Sequence, residues 1–205
     1  MRRPGGADFA PGAYVFPGGV VHASDSEWQE SIGQESNGQD EIGVAAVREL
    51  FEEVGILLAR NGRRFARERD CDRIRDLVGG GSSFSAALRL SGLEPALDRL
   101  VLLTRWVTPA ALRRRYDARF YLARTPAGQT VRVQTDEVSD WLWITPERAL
   151  REPAITLVYA TRKVLESVAG AEDATTLFAR VRRLTNVPVV EPRLVQTESG
   201  WEIVH

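Results

Sequence analysis

Three glutamates lie close together in the chain: Glu49, Glu52 and Glu53, within the stretch RELFEEVGI of residues 48–56. Residues three and four apart in a helix share a face, so the Glu49 side chain is expected beside the other two. Carboxylates this close repel one another and raise one another's pKa values. A hard divalent cation such as Mg²⁺ would relieve that repulsion. The cluster therefore predicts a metal site on a helix, and a solvated glutamate face is the alternative.

A glycine pair upstream favours the metal interpretation. The stretch FPGG at residues 16–19 is typical of a strand that runs into two glycines, whose backbone can turn tightly or approach a phosphate. Together the two segments resemble the Nudix box. In that pattern a glycine, five residues, a glutamate and seven further residues precede Arg-Glu-aliphatic-any-Glu-Glu-any-Gly-aliphatic. Residues 48–56 match every specified position of this second half.

The first half of the box is split. Counting back from Arg48 over the seven residues 41–47 leads to Asp40, where the family has glutamate, and the family glycine is then assigned to Gly19. An insertion is expected over residues 24–39, because their sequence SDSEWQESIGQESNGQ is polar and typical of a surface loop. Asp40 is expected to cap the helix rather than to bind metal.

The resemblance implies a hydrolase of diphosphate linkages that uses Mg²⁺ or Mn²⁺, because the charge of a diphosphate must be neutralised before water attacks it. Arg48 is expected to pair with a box carboxylate and orient it. Glu137 is the candidate general base, since similar Nudix hydrolases keep a catalytic or metal-binding glutamate in the loop before WLWI; an exposed loop acid is the alternative. The implied metal ligands are Gly19, Glu49, Glu52 and Glu53. The implied catalytic residues are Arg48, Glu52, Glu53 and Glu137.

The candidate substrate-binding residues are Gly18, Gly19, Trp106, Arg115 and Arg119. The backbone of the glycine pair would contact the metal and its phosphate. The Trp106 ring could stack on a base, and a core position is the alternative for an aromatic residue in a strand. The two arginines could meet the 3′-phosphate of coenzyme A or another anionic group, with plain surface charge as the alternative.

Over most of residues 11–150 the chain also resembles one particular branch of the Nudix superfamily. The stretches PGAYVFPGGVVHASD, RWVTP, ARFYLA and TDEVSDWLWITPERAL are similar to the branch that contains the peroxisomal coenzyme A diphosphatase. Coenzyme A or an acyl-coenzyme A is therefore the implied substrate, with ADP-ribose, NADH-type molecules or dinucleotides as alternatives. A nucleotide-binding regulatory module with a Nudix fold is the non-enzymatic alternative.

Composition indicates an ordinary cytoplasmic enzyme that acts on a small molecule. The chain has 205 residues and a net charge of -1, so nothing draws it to nucleic acid or to an anionic membrane. The single cysteine, Cys71, excludes an internal disulfide framework, and two histidines argue against a histidine-ligated zinc site. No apolar run approaches the ~20 residues that span a bilayer, and no signal peptide is visible.

The resemblance implies an α/β/α sandwich with a mixed β-sheet, as a single Nudix domain over residues 1–205. The box helix is predicted over Asp40 to Leu58, followed by a helical insert over residues 60–100 that could act as a lid. Within the insert, charged residues 60–76 predict an exposed helix and residues 84–100 two short ones. The first strand of the fold is expected to be missing before Arg2, and a homodimer could cover the edge left open.

The remaining elements follow from apolar content and turn signals. Strands are predicted over residues 13–16, 101–107, 119–124, 131–134 and 140–144. A helix is predicted to begin with Thr145 as its cap and Pro146 at its first position. C-terminal helices and an extended tail are expected over residues 153–205, with helices over 155–169 and 175–184 and a hairpin around 198–200.

Overall fold

The computed structural model describes residues 1–31, 33, 38–111, 115–197 and 200–204, and these divide into two compact units. The first unit draws on Met1–Arg99, Arg124–Ile144 and Pro153–Val158. The second draws on Leu100–Ala123, Thr145–Glu152 and Tyr159–His205. Every residue of the predicted box belongs to the first unit. That residues 1–205 form a single Nudix domain stays a prediction.

The first unit is organised around the box helix, α2, which spans Gln39–Val54. Several of its apolar side chains, among them Val44, Val47 and Phe51, are buried. The helix ends four residues earlier than predicted, because Gly55 adopts a left-handed φ of 77° and donates its N–H to the Phe51 carbonyl. Residues 56–58 leave the helix as a buried, non-helical run.

The cap predicted at Asp40 is wrong. Gly38 is the N-cap of α2, with a φ of 67°, and Asp40 lies inside the first turn. A glycine serves here because the chain enters the helix through a positive φ, which costs glycine little.

The insertion predicted as a surface loop over residues 24–39 is also partly wrong. It contains a 3₁₀ turn at Ala23–Asp25 and a short helix, α1, at Glu27–Ser31. Two of its polar side chains are buried, Asp25 with 1% of its surface exposed and Gln29 with 3%. Polar composition does not imply exposure here, because Asp25 is buried in an ion pair with Arg48. Residues 32 and 34–37 lie outside the described part.

The insert after the box helix combines strands with helices. Strands β1 (Ala59–Asn61), β2 (Arg64–Phe65) and β3 (Glu94–Pro95) form an antiparallel sheet in the order β2-β1-β3. The helices are α3 (Glu68–Gly79) and α4 (Phe84–Leu90), and a 3₁₀ turn follows at Leu97–Arg99. The helix predicted over residues 60–76 is therefore wrong in its first half, where a hairpin turns at Gly62 with a φ of 56°.

Two predicted strands of the first unit reduce to isolated bridges. Arg2 bridges antiparallel to both Tyr14 and Asp140, and Tyr14 bridges in parallel to Leu157. Among the described residues no continuous strand precedes β1 or lies between Leu122 and Val189, so residues 13–16 and 140–144 do not form strands.

The edge strand predicted over residues 131–134 is wrong. The Arg132 N–H donates to the Val54 carbonyl at 2.9 Å, and the Gln134 N–H donates to the Glu53 carbonyl at 3.1 Å. This segment therefore satisfies the carbonyls at the end of α2, which lack partners inside the helix, instead of pairing with a strand.

The second unit contains a mixed three-stranded sheet. Strand β4 (Val101–Val107) pairs antiparallel with β5 (Asp117–Leu122) and parallel with β6 (Val189–Val190). The helices are α5 (Pro146–Arg151), α6 (Tyr159–Val168) and α7 (Ala174–Arg182). The buried core of this unit consists of Leu103, Trp106, Val164, Val168 and Val181.

Several predictions in the second unit are confirmed. Thr145 accepts a hydrogen bond from the Arg148 N–H at 3.3 Å, and Pro146 is the first residue of α5. The tail forms an antiparallel hairpin of β7 (Arg193–Thr197) and β8 (Gly200–Val204), whose turn residues 198 and 199 lie outside the described part. Helices and a mixed sheet make the fold class α/β. No helix within the described residues is long and apolar enough to cross a membrane.

Candidate active site

Two box glutamates face the glycine pair. The Gly18 N–H donates to Glu53 Oε2 at 2.7 Å. Gly19 lies so close to Glu49 that a Cβ atom at this position would overlap the Glu49 carboxylate. A side chain at this position would therefore displace the Glu49 carboxylate from its place beside the backbone. The result is a pair of carboxylates, one helical turn apart, that line a backbone loop.

Arg48 joins this loop to the box helix. It is 2% exposed, and its Nε and Nη2 donate to the two carboxylate oxygens of Asp25 at 2.8 and 3.1 Å. Its Nη1 donates to Glu49 at 2.8 Å and to Glu52 at 2.9 Å. Its Nη2 also donates to the Val20 carbonyl at 2.9 Å. Burial opposes the charge on Arg48, but the bonds to Asp25 and Glu49 outweigh burial and raise the Arg48 pKa.

The carboxylates at the glycine pair hold their protons more tightly than usual. Burial is the largest cause for both: it raises the pKa of Glu49, and it raises the pKa of Glu53 to about 7. The value of about 7 for the Glu53 pKa is a net result, in which the charges of Glu49 and Glu137 act with burial and the Gly18 N–H and the charge of Arg3 act against it. A nearby divalent cation would favour the ionised form of both carboxylates.

The donor set fits a hard cation. Mg²⁺ is commonly bound in proteins by one or two carboxylates together with water and substrate phosphates. Glu49 and Glu53 supply two carboxylates beside a glycine without a side chain. Within the described residues no group of three or more His, Cys, Asp or Glu side chains is arranged to hold a metal ion. Glu52, whose side chain is 34% exposed, is paired with Arg48. The metal roles of Gly19, Glu49, Glu52 and Glu53 stay predictions.

Glu137 lies in the same unit as the box. It is exposed in a turn, where its N–H donates to the Gln134 carbonyl at 3.1 Å. Its charge acts on Glu53 strongly enough to raise the Glu53 pKa. The predicted roles of Glu137 and Arg48 as catalytic residues stay predictions.

The other substrate candidates belong to the second unit. Trp106 is 8% exposed in the core, with its ring edge-on to Tyr159 at 6.1 Å, which favours the core alternative for this aromatic. Arg119 lies 3.8 Å from Asp117 across an ion pair. Arg115, half exposed, lies 3.4 Å from Glu191. Outside the candidate site, Cys71 is fully buried, and burial raises the pKa of its thiol to about 11, which fits a packing role.

Asp25 is the residue that the sequence reasoning missed. Backward spacing from Arg48 predicts Asp40 as the counterpart of the family glutamate. Counted forwards, five residues separate Gly19 from Asp25, which is the spacing of the first half of the box. The structure pairs Asp25, not Asp40, with Arg48. The insertion therefore interrupts the box after Asp25, and this forward spacing was the signal that could have found it.

Comparison with known proteins shows the family of the chain. No family model matches the chain. Over 154 residues the chain is 36% identical to nudix hydrolase 7 of Caenorhabditis elegans, a match that covers 74% of this chain and 48% of that protein. The crystal structure of a NUDIX hydrolase from Alicyclobacillus acidocaldarius superposes with a TM-score of 0.72 at 27% identity, covering 87% of this chain and 85% of that one. The chain belongs to the Nudix hydrolase superfamily.

Two further relatives of this Nudix chain are named acyl-coenzyme A diphosphatase NUDT19. The protein from Gallus gallus is 25% identical over 205 residues, covering 73% of this chain and 54% of that protein. The protein from Xenopus laevis is 23% identical over 202 residues, covering 74% and 53%. The chain spans about half the length of the curated relatives that it matches. The resemblance to the superfamily and the Nudix α/β fold are thereby confirmed.

Proposed function

We propose that this Nudix chain is a diphosphatase that hydrolyses a diphosphate linkage in a nucleoside diphosphate derivative, with Mg²⁺ or Mn²⁺ as cofactor. The observation that carries the proposal is the pair of Glu49 and Glu53 carboxylates against the glycine pair. Burial of a carboxylate costs folding free energy, and buried carboxylates with raised pKa values are typical of functional sites. When bound, the cation would neutralise the diphosphate and polarise a phosphoryl oxygen.

The chain's own residues supply the positioning. The Gly18 N–H fixes one oxygen of Glu53, and Arg48 fixes Glu49 and Glu52 through a single guanidinium nitrogen. Glu137 is the proposed general base, because it is exposed to water and its charge reaches Glu53. The water oxygen attacks phosphorus, the bond from phosphorus to the bridging oxygen breaks, and the proton of the water passes to the base. The products are two phosphate monoesters.

Coenzyme A or an acyl-coenzyme A is the proposed substrate. The two vertebrate relatives named acyl-coenzyme A diphosphatase support it. Arg115 and Arg119 are the proposed contacts for the 3′-phosphate, since arginine pairs well with phosphate oxygens. The alternative of ADP-ribose, NADH-type molecules or dinucleotides has the same chemistry at the scissile linkage. A small-molecule substrate, a cytoplasmic location and a homodimer complete the proposal.

A panel of diphosphates tests it. Coenzyme A, an acyl-coenzyme A, ADP-ribose, NADH and a dinucleoside polyphosphate are each incubated with the full chain and Mg²⁺ or Mn²⁺. Release of 4′-phosphopantetheine from coenzyme A, abolished in Glu53→Gln and retained in Glu30→Gln, would support the leading substrate. Preferred cleavage of another member of the panel would transfer the assignment to it. Absence of metal-dependent turnover of every member would contradict the enzyme and favour a binding module.

A further inference from the structure

Helix α4 holds the segment that carries Asp25. The Ser83 hydroxyl donates to Glu27 Oε2 at 2.5 Å, and the Ser85 hydroxyl donates to the Ser24 carbonyl at 3.3 Å. Ser85 is 1% exposed, so the second bond is shielded from water. We call these two bonds the α4 contacts. They lie on either side of Asp25 in the sequence, one residue before it and two residues after it.

The same helix packs on the box helix. The rings of Phe84 in α4 and Phe51 in α2 lie 6.0 Å apart, tilted by 37°. Phe84 stands between the two serines that make the α4 contacts. One short helix therefore touches both the Asp25 segment and the box helix, which carry the two partners of the Asp25–Arg48 ion pair.

The Asp25 segment needs such support. Helix α1 has only five residues and is rich in polar side chains, whereas an isolated helix shorter than ~12 residues is marginal in water. Its position must therefore come from contacts with other elements. Asp25 is part of a buried pair whose partner, Arg48, also holds two box glutamates. If the Asp25 segment moved, Arg48 would move with Asp25, and the Glu49 and Glu52 carboxylates bonded to Arg48 would be displaced in turn.

We propose that Glu27 and Ser83 are positioning residues of the proposed diphosphatase reaction: they hold Asp25 against Arg48 and thereby fix Glu49 and Glu52. This inference rests on the proposed function. It also changes the expected role of the insert over residues 60–100, because α4 supports the box helix from a fixed contact rather than closing over the site as a lid.

A purely structural alternative exists for Ser83. Its hydroxyl also accepts the Ala86 N–H at 3.2 Å and so caps α4. Replacement of Ser83 by alanine would remove this cap together with the contact to Glu27. The informative variants are therefore Glu27→Ala, which leaves the cap, and Ser83→Gly, since glycine is tolerated at an N-cap almost as well as serine.

The test uses the full chain and two measurements. The first is kcat and KM for coenzyme A with Mg²⁺, or for ADP-ribose if coenzyme A is not cleaved. The second is the hydrogen-exchange rate of the Arg48 Nε–H, followed by nitrogen-15 NMR without substrate. Glu30→Ala is the matched control, because this glutamate is on the same helix, is exposed and accepts from Ser26 instead. Glu27→Gln is the conservative variant, because it keeps an oxygen acceptor for Ser83.

Glu27→Ala is expected to lower kcat about fivefold with little change in KM, a size typical of residues that act through a contact network. The Arg48 Nε–H should exchange faster, Glu27→Gln should restore both readouts, and Ser83→Gly should reproduce the loss. Because Glu27 acts through Asp25, adding Glu27→Ala to Asp25→Asn should lower kcat no further.

Three results would overturn the inference: Glu27→Ala and Glu30→Ala behaving alike, additive losses in the double variant, or normal protection of the Arg48 Nε–H in Glu27→Ala. Absence of turnover by the unaltered chain would instead contradict the proposed function, and the exchange rate would still decide whether Glu27 and Ser83 position Arg48. Should Glu27→Ala fail to fold, Ser83→Gly supplies the same comparison.

Discussion

At the scale of single residues, Arg48 is the side chain on which the candidate site depends most. A guanidinium offers five N–H donors in a fixed plane, so one arginine can join several carboxylates at defined angles. Arg48 uses this geometry to connect Asp25, Glu49 and Glu52 while almost wholly buried. A buried cation is tolerated only with such partners, which makes the pair sensitive to the loss of either member.

Asp25→Ala should therefore destabilise the chain. Removal of one partner of a buried ion pair leaves an uncompensated charge, which costs about 3 kcal/mol or more in the free energy of unfolding. Asp98→Ala is the matched control, since Asp98 is half exposed in its pair with Arg60 at 3.0 Å and should cost less than about 1 kcal/mol. Urea unfolding of both variants measures the difference. Equal losses of unfolding free energy in the two variants would show that the Asp25–Arg48 pair stabilises the chain no more than an exposed ion pair does.

Glu53 should make the stability of the chain depend on pH. Its pKa is about 7 in the folded chain against an ordinary value of 4.5, so between these values the folded state binds more protons than the unfolded state. The free energy of unfolding should then fall as the pH rises from about 4.5 to about 7, and level off above that range. With solvent screening allowed for, the fall is on the order of 1–2 kcal/mol.

Glu53→Gln removes this titration. Unfolding of the unaltered chain and the variant at pH 5 and pH 8, with a chelator present, should show the variant gaining stability relative to the unaltered chain at the higher pH. Glu30→Gln, at an exposed position of α1, is the control and should leave the pH dependence nearly as it was. If the free energy of unfolding of Glu53→Gln fell by the same amount between pH 5 and pH 8, the pH dependence would come from other groups.

Residue types and spacing predicted the second half of the box, because the pattern is local and unbroken in sequence. Asp25 was missed for a physical reason: its contact with Arg48 spans 23 residues and an insertion, so only the forward spacing from Gly19 indicated it. The burial of Trp106 could not be decided from sequence either, since a strand places aromatic side chains on both faces.

At the scale of elements, the sequence predicted those helix and strand boundaries that depend on neighbouring residues alone. The Thr145 cap and Pro146 determine the start of α5 by themselves, and apolar content identified β4. Residues 131–134 have strand-like composition, but their N–H groups find the free carbonyls of α2 instead of a strand. Tertiary pairing of this kind overrides propensity and is not visible in the sequence.

Gly55→Ala should disturb this helix end. Gly55 has a φ of 77°, and a Cβ there would lie 2.9 Å from the Arg132 carbonyl oxygen and 3.0 Å from its nitrogen. Backbone strain and the contact together should cost about 2 kcal/mol or more. Hydrogen exchange of the Arg132 and Gln134 amides should become faster. Gly79→Ala is the control in α3, where a Cβ meets nothing within 4 Å; losses of similar size in both variants would contradict this account.

At the scale of the whole molecule, the family resemblance predicted an α/β enzyme but not the division of the chain into two units. The chain passes between the units several times, and contacts rather than sequence separation define them. Asp25, Arg48, Glu49, Glu53 and Glu137 all belong to the first unit, whereas Trp106, Arg115 and Arg119 belong to the second. Metal binding is therefore expected to stabilise the first unit through its own residues.

Calorimetry of the whole chain tests this expectation. A cation that binds only the folded state stabilises it by about 2.7 kcal/mol at one hundred times its Kd. For a chain of this length, that should raise Tm by roughly 5–10 °C. If the units unfold in separate transitions, only the transition of the first unit should shift with Mg²⁺ or Mn²⁺. Glu49→Gln combined with Glu53→Gln should abolish the shift, and Glu30→Gln should retain it. A shift that survives loss of both carboxylates would place the cation elsewhere.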